Sequence, residues 1–137
     1  MNTYILDTSV AIAWYLEESF SPAARVWQEK LLGGQIVLIV PTLHYWEFAN
    51  VLRTLVRRRE LTKNLAQEIY ELHLEAPLER IEPDVKTALD VALEYTATAY
   101  DAVYISLSLS KEAPFITAEK TTTSWVTRLK GRIEAVR

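Results

Sequence analysis

Three short apolar runs constrain the fold of this chain more than any other feature: TYIL (Thr3 to Leu6), IVLIV (Ile36 to Val40) and PFIT (Pro114 to Thr117). A strand with one wet face alternates apolar and polar residues, and these runs do not alternate. They are rich in β-branched and aromatic residues and bounded by turn or polar residues, the pattern of strands buried on both faces. Such strands belong to parallel sheets, whose crossover connections lay helices on either side. LERI near Ile81 is a weaker strand pattern, and RIEAV (Arg132 to Val136) reads as an edge strand.

Helical patterns fill the intervals. One follows Asp7, with Ser9 as the expected N-cap. A second runs from about Ser21 to Leu32 and stops at Gly33 and Gly34, a usual helix terminator. A third begins after Pro41 and Thr42 and continues to about Arg59. Others span about Thr62 to His73, Asp84 to Tyr95 and Thr98 to Ser110. Strands alternating with helices predict an α/β fold, a central parallel sheet flanked by helices on both faces. The 137 residues suit one domain over 1–137 with a core of its own, and no repeat or linker interrupts them.

Composition removes several chemistries. The absence of cysteine excludes disulfides, thiolate zinc sites and cysteine nucleophiles, and is compatible with the cytoplasmic location we expect. No apolar run approaches the roughly 20 residues that cross a bilayer, so no membrane association is expected. The segment MNTYILDTSV has no basic region and meets Asp7 almost at once, unlike a signal peptide. With three glycines there is no P-loop and no G-x-G-x-x-G, and no serine sits in a G-x-S-x-G elbow. Net charge is −3, so contact with nucleic acid has to come from local patches.

The acidic residues then carry the argument. Asp7 directly follows the first strand, and in parallel α/β sheets ligands bind beyond the carboxyl ends of the strands. Its bland role is to help cap the next helix. Glu47, in PTLHYWEFANVL, falls at the border of a buried stripe formed by Tyr45, Phe48, Ala49, Leu52, Leu55 and Val56 at ~100° per residue. Its bland role is that of a solvated border residue. Asp101 heads ATAYDAVYISLSLS, a helix apolar nearly all round and hence expected to be buried. Thr98 and Asp101 have the spacing of a capping box, which would satisfy that carboxylate locally. Glu119, in FITAEKTT beyond the last buried strand, is by itself an ordinary loop residue.

Taken together the four acids have a different meaning. If the strand order brings their positions together, four carboxylates meet in one cleft and raise one another's pKa unless a cation compensates. Mg²⁺ suits such a site, because it takes oxygen ligands and binds through a few carboxylates plus its own waters. Such an ion polarises a phosphoryl oxygen and activates water.

YILDTSV, PTLHYWEFANVL, TAYDAVYISLS and PFITAEK, in this order, resemble the four blocks of PIN-domain proteins, and within them the VapC-type toxins of toxin–antitoxin pairs. The resemblance covers nearly the whole chain. It implies a metal-dependent endoribonuclease whose Mg²⁺ or Mn²⁺ is held by Asp7, Glu47, Asp101 and a fourth acid. That fourth acid is usually aspartate and is Glu119 here, one methylene longer and next to Lys120. Thr8, Asn50 and Thr117 match recurrent polar residues and would support the ligands by hydrogen bonds. The resemblance also implies an RNA substrate, a VapB-like antitoxin as inhibitor and a homodimer.

The remaining features are less specific. Arg53, Arg57, Arg58 and Arg59 form the concentrated basic run, which suits a helix C-terminus, RNA backbone or an acidic partner. Four tryptophans and seven tyrosines are many for this length; most belong in the core, and of Trp14 and Tyr15 at least one is expected to face outward. His44 and His73 are too isolated to form a histidine metal site. The alternative to an enzyme is a PIN-like module that binds RNA or a partner without cleaving, motivated by Glu119. A phosphatase or receiver-like domain is disfavoured: DTS replaces the D-x-D of the first, and IVLIVPT lacks the aspartate of the second.

Overall fold

The computed structural model describes residues 1–137, the side chain of residue 130 excepted. Strands β1 (Asn2–Leu6), β2 (Ile36–Val40), β3 (Glu79–Arg80), β4 (Phe115–Thr117) and β5 (Ile133–Ala135) form one parallel sheet in the order β3-β2-β1-β4-β5. The three apolar runs are its centre, and RIEAV supplies an edge, as their patterns predict. The helices are α1 (Thr8–Ile12), α2 (Ser21–Leu32), α3 (Leu43–Arg57), α4 (Lys63–Glu75), α5 (Ala88–Tyr95), α6 (Ala99–Lys111) and α7 (Ser124–Arg128). None is long and apolar enough to cross a membrane.

Alternation along the strands builds a core on each face of the sheet. Leu6, Leu38, Val40 and Ile116 pack with Val10, Phe48, Leu52 and Ile69 from α1, α3 and α4 and with Trp14 from the turn after α1. Ile5, Ile39 and Phe115 pack on the other side with Tyr104, Ile105 and Leu107 of α6 and Trp125 of α7. Complete burial of a side chain such as Phe48 stabilises the fold by about 2–3 kcal/mol.

Most helix ends lie where local chemistry requires. Gly34 adopts φ 69° just after α2, a left-handed conformation that costs glycine little. Thr62 caps α4 by accepting the Leu65 N–H at 3.2 Å, and Thr98 caps α6 by accepting the Asp101 N–H at 3.0 Å. Three expectations need correction. Asp7, not Ser9, occupies the N-cap of α1. The segment expected as one helix from Asp84 is a 3₁₀ turn over Val85–Thr87 and then α5, because the Asp84 carboxylate accepts the Lys86 N–H and its carbonyl accepts the Thr87 hydroxyl. Neither Trp14 nor Tyr15 faces outward: Trp14 is buried and Tyr15 half-buried, whereas Trp46 is exposed.

Candidate active site

The pairing of β1 with β4 sets Leu6 opposite Ile116, and the Asp7 N–H donates to the Ile116 carbonyl at 3.0 Å. Asp7 and Thr117 therefore leave the sheet side by side at its carboxyl edge. The Thr117 hydroxyl donates to Asp7 Oδ2 at 2.7 Å and the Ser9 hydroxyl donates to the same oxygen at 3.1 Å. The Asp7 side chain makes no capping bond to α1, so the bland role for it does not hold. Its second oxygen has no donor among the described residues.

Glu47 lies in the second turn of α3, across from Thr8 and Tyr104. Its Oε1 accepts from the Thr8 hydroxyl at 3.0 Å and the Tyr104 hydroxyl at 2.5 Å, and the two hydroxyl oxygens are 2.9 Å apart. Asp101 is half-buried in the first turn of α6. Its N–H uses the Thr98 hydroxyl, but its carboxylate does not return a bond to the Thr98 N–H, so only half of the expected capping box forms. The carboxylate remains available to the cleft.

The electrostatics join the three acids. Burial pushes the Asp7 carboxyl up to about 6, against the lowering by the Thr117 and Ser9 hydroxyls, and the charges of Glu47 and Asp101 add to the rise. Burial also raises Glu47, opposed by Tyr104 and Thr8 and reinforced by Asp101. Asp101 is raised by burial, opposed by Thr98. Burial and then the Glu47 charge hold the Tyr104 phenol well above its ordinary value, so it stays protonated and donates. Among the described residues, the ion pair formed is Arg25–Glu17 at 3.1 Å, an exposed contact of other residues. No described lysine or arginine compensates Asp7, Glu47 or Asp101.

These acids share a field but not a cage. Among the described residues, no three histidine, aspartate or glutamate side chains are gathered closely enough to hold an ion together. The donor chemistry nevertheless suits a hard divalent cation: carboxylates with free oxygens, no cationic partner, and hydroxyls on one side only. Mg²⁺ commonly uses one or two carboxylates and keeps several waters.

Glu119 stands at the rim. It is exposed and lines a cavity of about 340 Å³ with Ser9, Ala118 and Arg137. Its N–H donates to the Thr117 hydroxyl at 3.0 Å, so its main chain reaches Asp7 through Thr117. Its charge is not among those that raise Asp7. Asn50 is exposed, and its carbonyl, not its amide group, is engaged, by the Thr54 hydroxyl at 2.9 Å. Arg53, Arg57 and Arg58 are exposed on and just after α3; Arg53 and Arg57 also line an apolar groove of about 390 Å³ with Leu52, Val56, Ala66 and Tyr70.

Two residues dismissed on the sequence are central to the structure. His44 and His73 are fully buried and joined Nε2 to Nε2 at 2.7 Å. His44 Nδ1 is 3.0 Å from the Thr8 hydroxyl, and His73 Nδ1 is 2.9 Å from the Tyr15 hydroxyl. Nothing in the local sequence signals this contact; apolar residues around each histidine predict burial alone.

The family model for the PIN domain matches residues 4–122. The chain belongs to the PIN domain family. PIN domains are generally nucleases that use divalent metals. No curated protein matches the chain by sequence. Among solved structures, PAE2754 from Pyrobaculum aerophilum is similar with a TM-score of 0.75 and 22% identity, covering 96% of this chain and 83% of that one. VapBC2 from Rickettsia felis, crystallised with a DNA fragment from its promoter, is similar with a TM-score of 0.65 and 14% identity, covering 97% and 98%. At these identities the likenesses concern the PIN fold.

Proposed function

We propose that this PIN domain, filling residues 1–137, is a VapC-like endoribonuclease that hydrolyses RNA phosphodiester bonds with Mg²⁺ or Mn²⁺ and is silenced by a VapB-like antitoxin. One observation carries the reading: burial raises the pKa of Asp7, Glu47 and Asp101, the charges of Glu47 and Asp101 add to the rise at Asp7, and no described cation offsets them. Fold likeness to a VapBC complex supports the toxin–antitoxin context.

Asp7, Glu47 and Asp101 would hold the ion, directly or through its waters, with Glu119 contributing from the rim. When bound, the ion supplies Lewis-acid polarisation of the phosphate and an activated water. The protein's own part is orientation. Thr117 and Ser9 fix one oxygen of Asp7, and Thr8 and Tyr104 fix one oxygen of Glu47, which leaves the other oxygen of each without a described donor. Asn50, three residues beyond Glu47 on α3, would assist a water. Arg53, Arg57 and Arg58 offer charge to the RNA backbone or to an acidic antitoxin segment whose apolar residues fill the α3–α4 groove. Exposed Leu89 and Leu93, one turn apart on α5, and exposed Val85 in the 3₁₀ turn before it suit the homodimer contact. A cytoplasmic location accords with a chain free of cysteine.

A non-cleaving binding module is the second reading, favoured by the exposure of Glu119 and the looseness of the acid group. Incubation of purified, antitoxin-free protein with a mixed structured-RNA pool separates the two. Cleavage that needs Mn²⁺ or Mg²⁺, stops with chelator and disappears in Asp101→Asn is the expected result. Metal-independent cleavage, or equal cleavage by Asp101→Asn, refutes the assignment; binding without cleavage favours the module.

A further inference from the structure

We propose that Tyr15, His73 and His44 form a one-way hydrogen-bond relay that acts through Thr8 to hold the Glu47 carboxylate in place, which makes both histidines positioning residues. The inference rests on reading Glu47 as an acid of the site.

Proton counting sets its direction. Glu47 Oε1 accepts two bonds, and these take the single protons of Thr8 and Tyr104. Thr8, having spent its proton, must accept from His44, so His44 carries its proton on Nδ1. Its Nε2 then accepts from His73 Nε2, which leaves His73 Nδ1 to accept from Tyr15. Four bonds of 3.0, 2.7, 2.9 and 3.0 Å thus point the same way, from Tyr15 to the carboxylate. Reversing the chain would turn the Thr8 proton toward His44 and strip Glu47 of one donor.

The surroundings keep this arrangement single-valued. Both imidazoles have 0% exposure, so water does not replace a missing partner. Burial keeps both neutral at pH 7, with His73 pushed down to about 4. Phe48 stacks on the His73 ring at 4.2 Å with 9° between planes, and Trp14 meets its edge at 5.9 Å, which fixes the ring's rotation. The relay also ties α4, through His73, to the Thr8–Glu47 contact that joins α1 and α3. Displacing a ligand's outer hydrogen-bond partner typically weakens a metal site by 10–100-fold.

The unmodified protein provides the first test. Long-range ¹H–¹⁵N spectra at pH 7 are expected to show neutral His44 with its proton on Nδ1 and neutral His73 with its proton on Nε2. The same tautomer at both, or a cationic ring at either, overturns the relay. Thr8→Val removes the acceptor at nearly constant volume and is expected to release His44 to a tautomer mixture; an unchanged tautomer overturns direction set from Glu47. Mn²⁺ titration by calorimetry is expected to show about tenfold weaker binding in His44→Gln. His44→Asn, which keeps an N–H near the Nδ1 position, is expected to recover most of it. Equal affinity in wild type and His44→Gln, or equal losses in both variants, overturns the positioning role and leaves the nuclease reading intact. Should the unmodified protein bind no Mn²⁺, the nuclease reading fails and the tautomers alone decide the relay.

Discussion

The buried histidine pair predicts how stability responds to acid. His73 titrates at about 4 in the fold and at 6.5 when unfolded, because burial penalises its cation. Above pH 6.5 both states are neutral and nothing is lost. As pH falls below 6.5 the unfolded chain takes up a proton that the fold refuses, so unfolding gains and stability declines until the fold itself titrates near pH 4. At pH 5 the loss from His73 is about 2 kcal/mol, and below pH 4 it approaches about 3.4 kcal/mol. His44 acts in the same direction, since burial and then the neighbouring His73 lower it well below its ordinary value. Asp7 opposes both: held up to about 6, it binds its proton in the fold first and returns about 1.4 kcal/mol between pH 8 and pH 5. The wild-type curve alone therefore mixes the signs. Urea unfolding of wild type and His73→Gln at pH 8, 6.5 and 5 isolates the histidine, because Asp7 contributes equally to both proteins. The stability advantage of wild type is expected to shrink by about 2 kcal/mol from pH 8 to pH 5. A constant difference would show that His73 ionises freely in the fold, and the argument from burial would fail.

Other perturbations test separate parts of the structure. Asp7→Asn removes a buried charge whose raised pKa corresponds to about 3 kcal/mol; it is expected to stabilise the protein by about 2 kcal/mol at pH 8 in urea unfolding while RNA cleavage is lost. Tyr104→Phe deletes the donor to Glu47 and is expected to cost about 1–2 kcal/mol and weaken Mn²⁺ binding, read by unfolding and calorimetry. Ser106 has a buried hydroxyl with no partner, so Ser106→Ala is expected to be neutral or to stabilise by up to about 1 kcal/mol. Thr96 ends α5 at φ 53°, where a β-branched residue is strained; Thr96→Gly is expected to raise the unfolding midpoint by the equivalent of about 1 kcal/mol.

Much of this fold is legible in one dimension because its strongest signals are local. An unbroken apolar run reports burial on two faces, and Gly33, Gly34, Thr62 and Thr98 mark helix ends by their own conformational preferences. The helix α7 spans five residues, too few for a period to show. Asp84 breaks its expected helix through two bonds that depend on a few dihedral angles. The positions of Asp7 and Asp101 follow from strand ends and helix starts, which makes them visible as candidates. The His44–His73 contact joins residues 29 apart and exists only once α3 and α4 pack, so no local pattern announces it.

The choice of partners around the acids is the deeper clue to what the site is for. Buried carboxylates elsewhere are commonly satisfied by arginine or lysine, which cancels their charge as well as orienting them. Here Ser9, Thr8, Thr117 and Tyr104 do the orienting, and each brings a dipole but no charge. Thr8 is in turn aligned by neutral His44, so the support is uncharged in the next layer too. The hydroxyls gather on one oxygen of each acid, Oδ2 of Asp7 and Oε1 of Glu47. Fixed geometry without neutralisation leaves a directed negative field at the carboxyl edge of the sheet. Burial first, and the neighbouring charges after it, raise the pKa values of these acids, and the divalent cation we propose would relieve both.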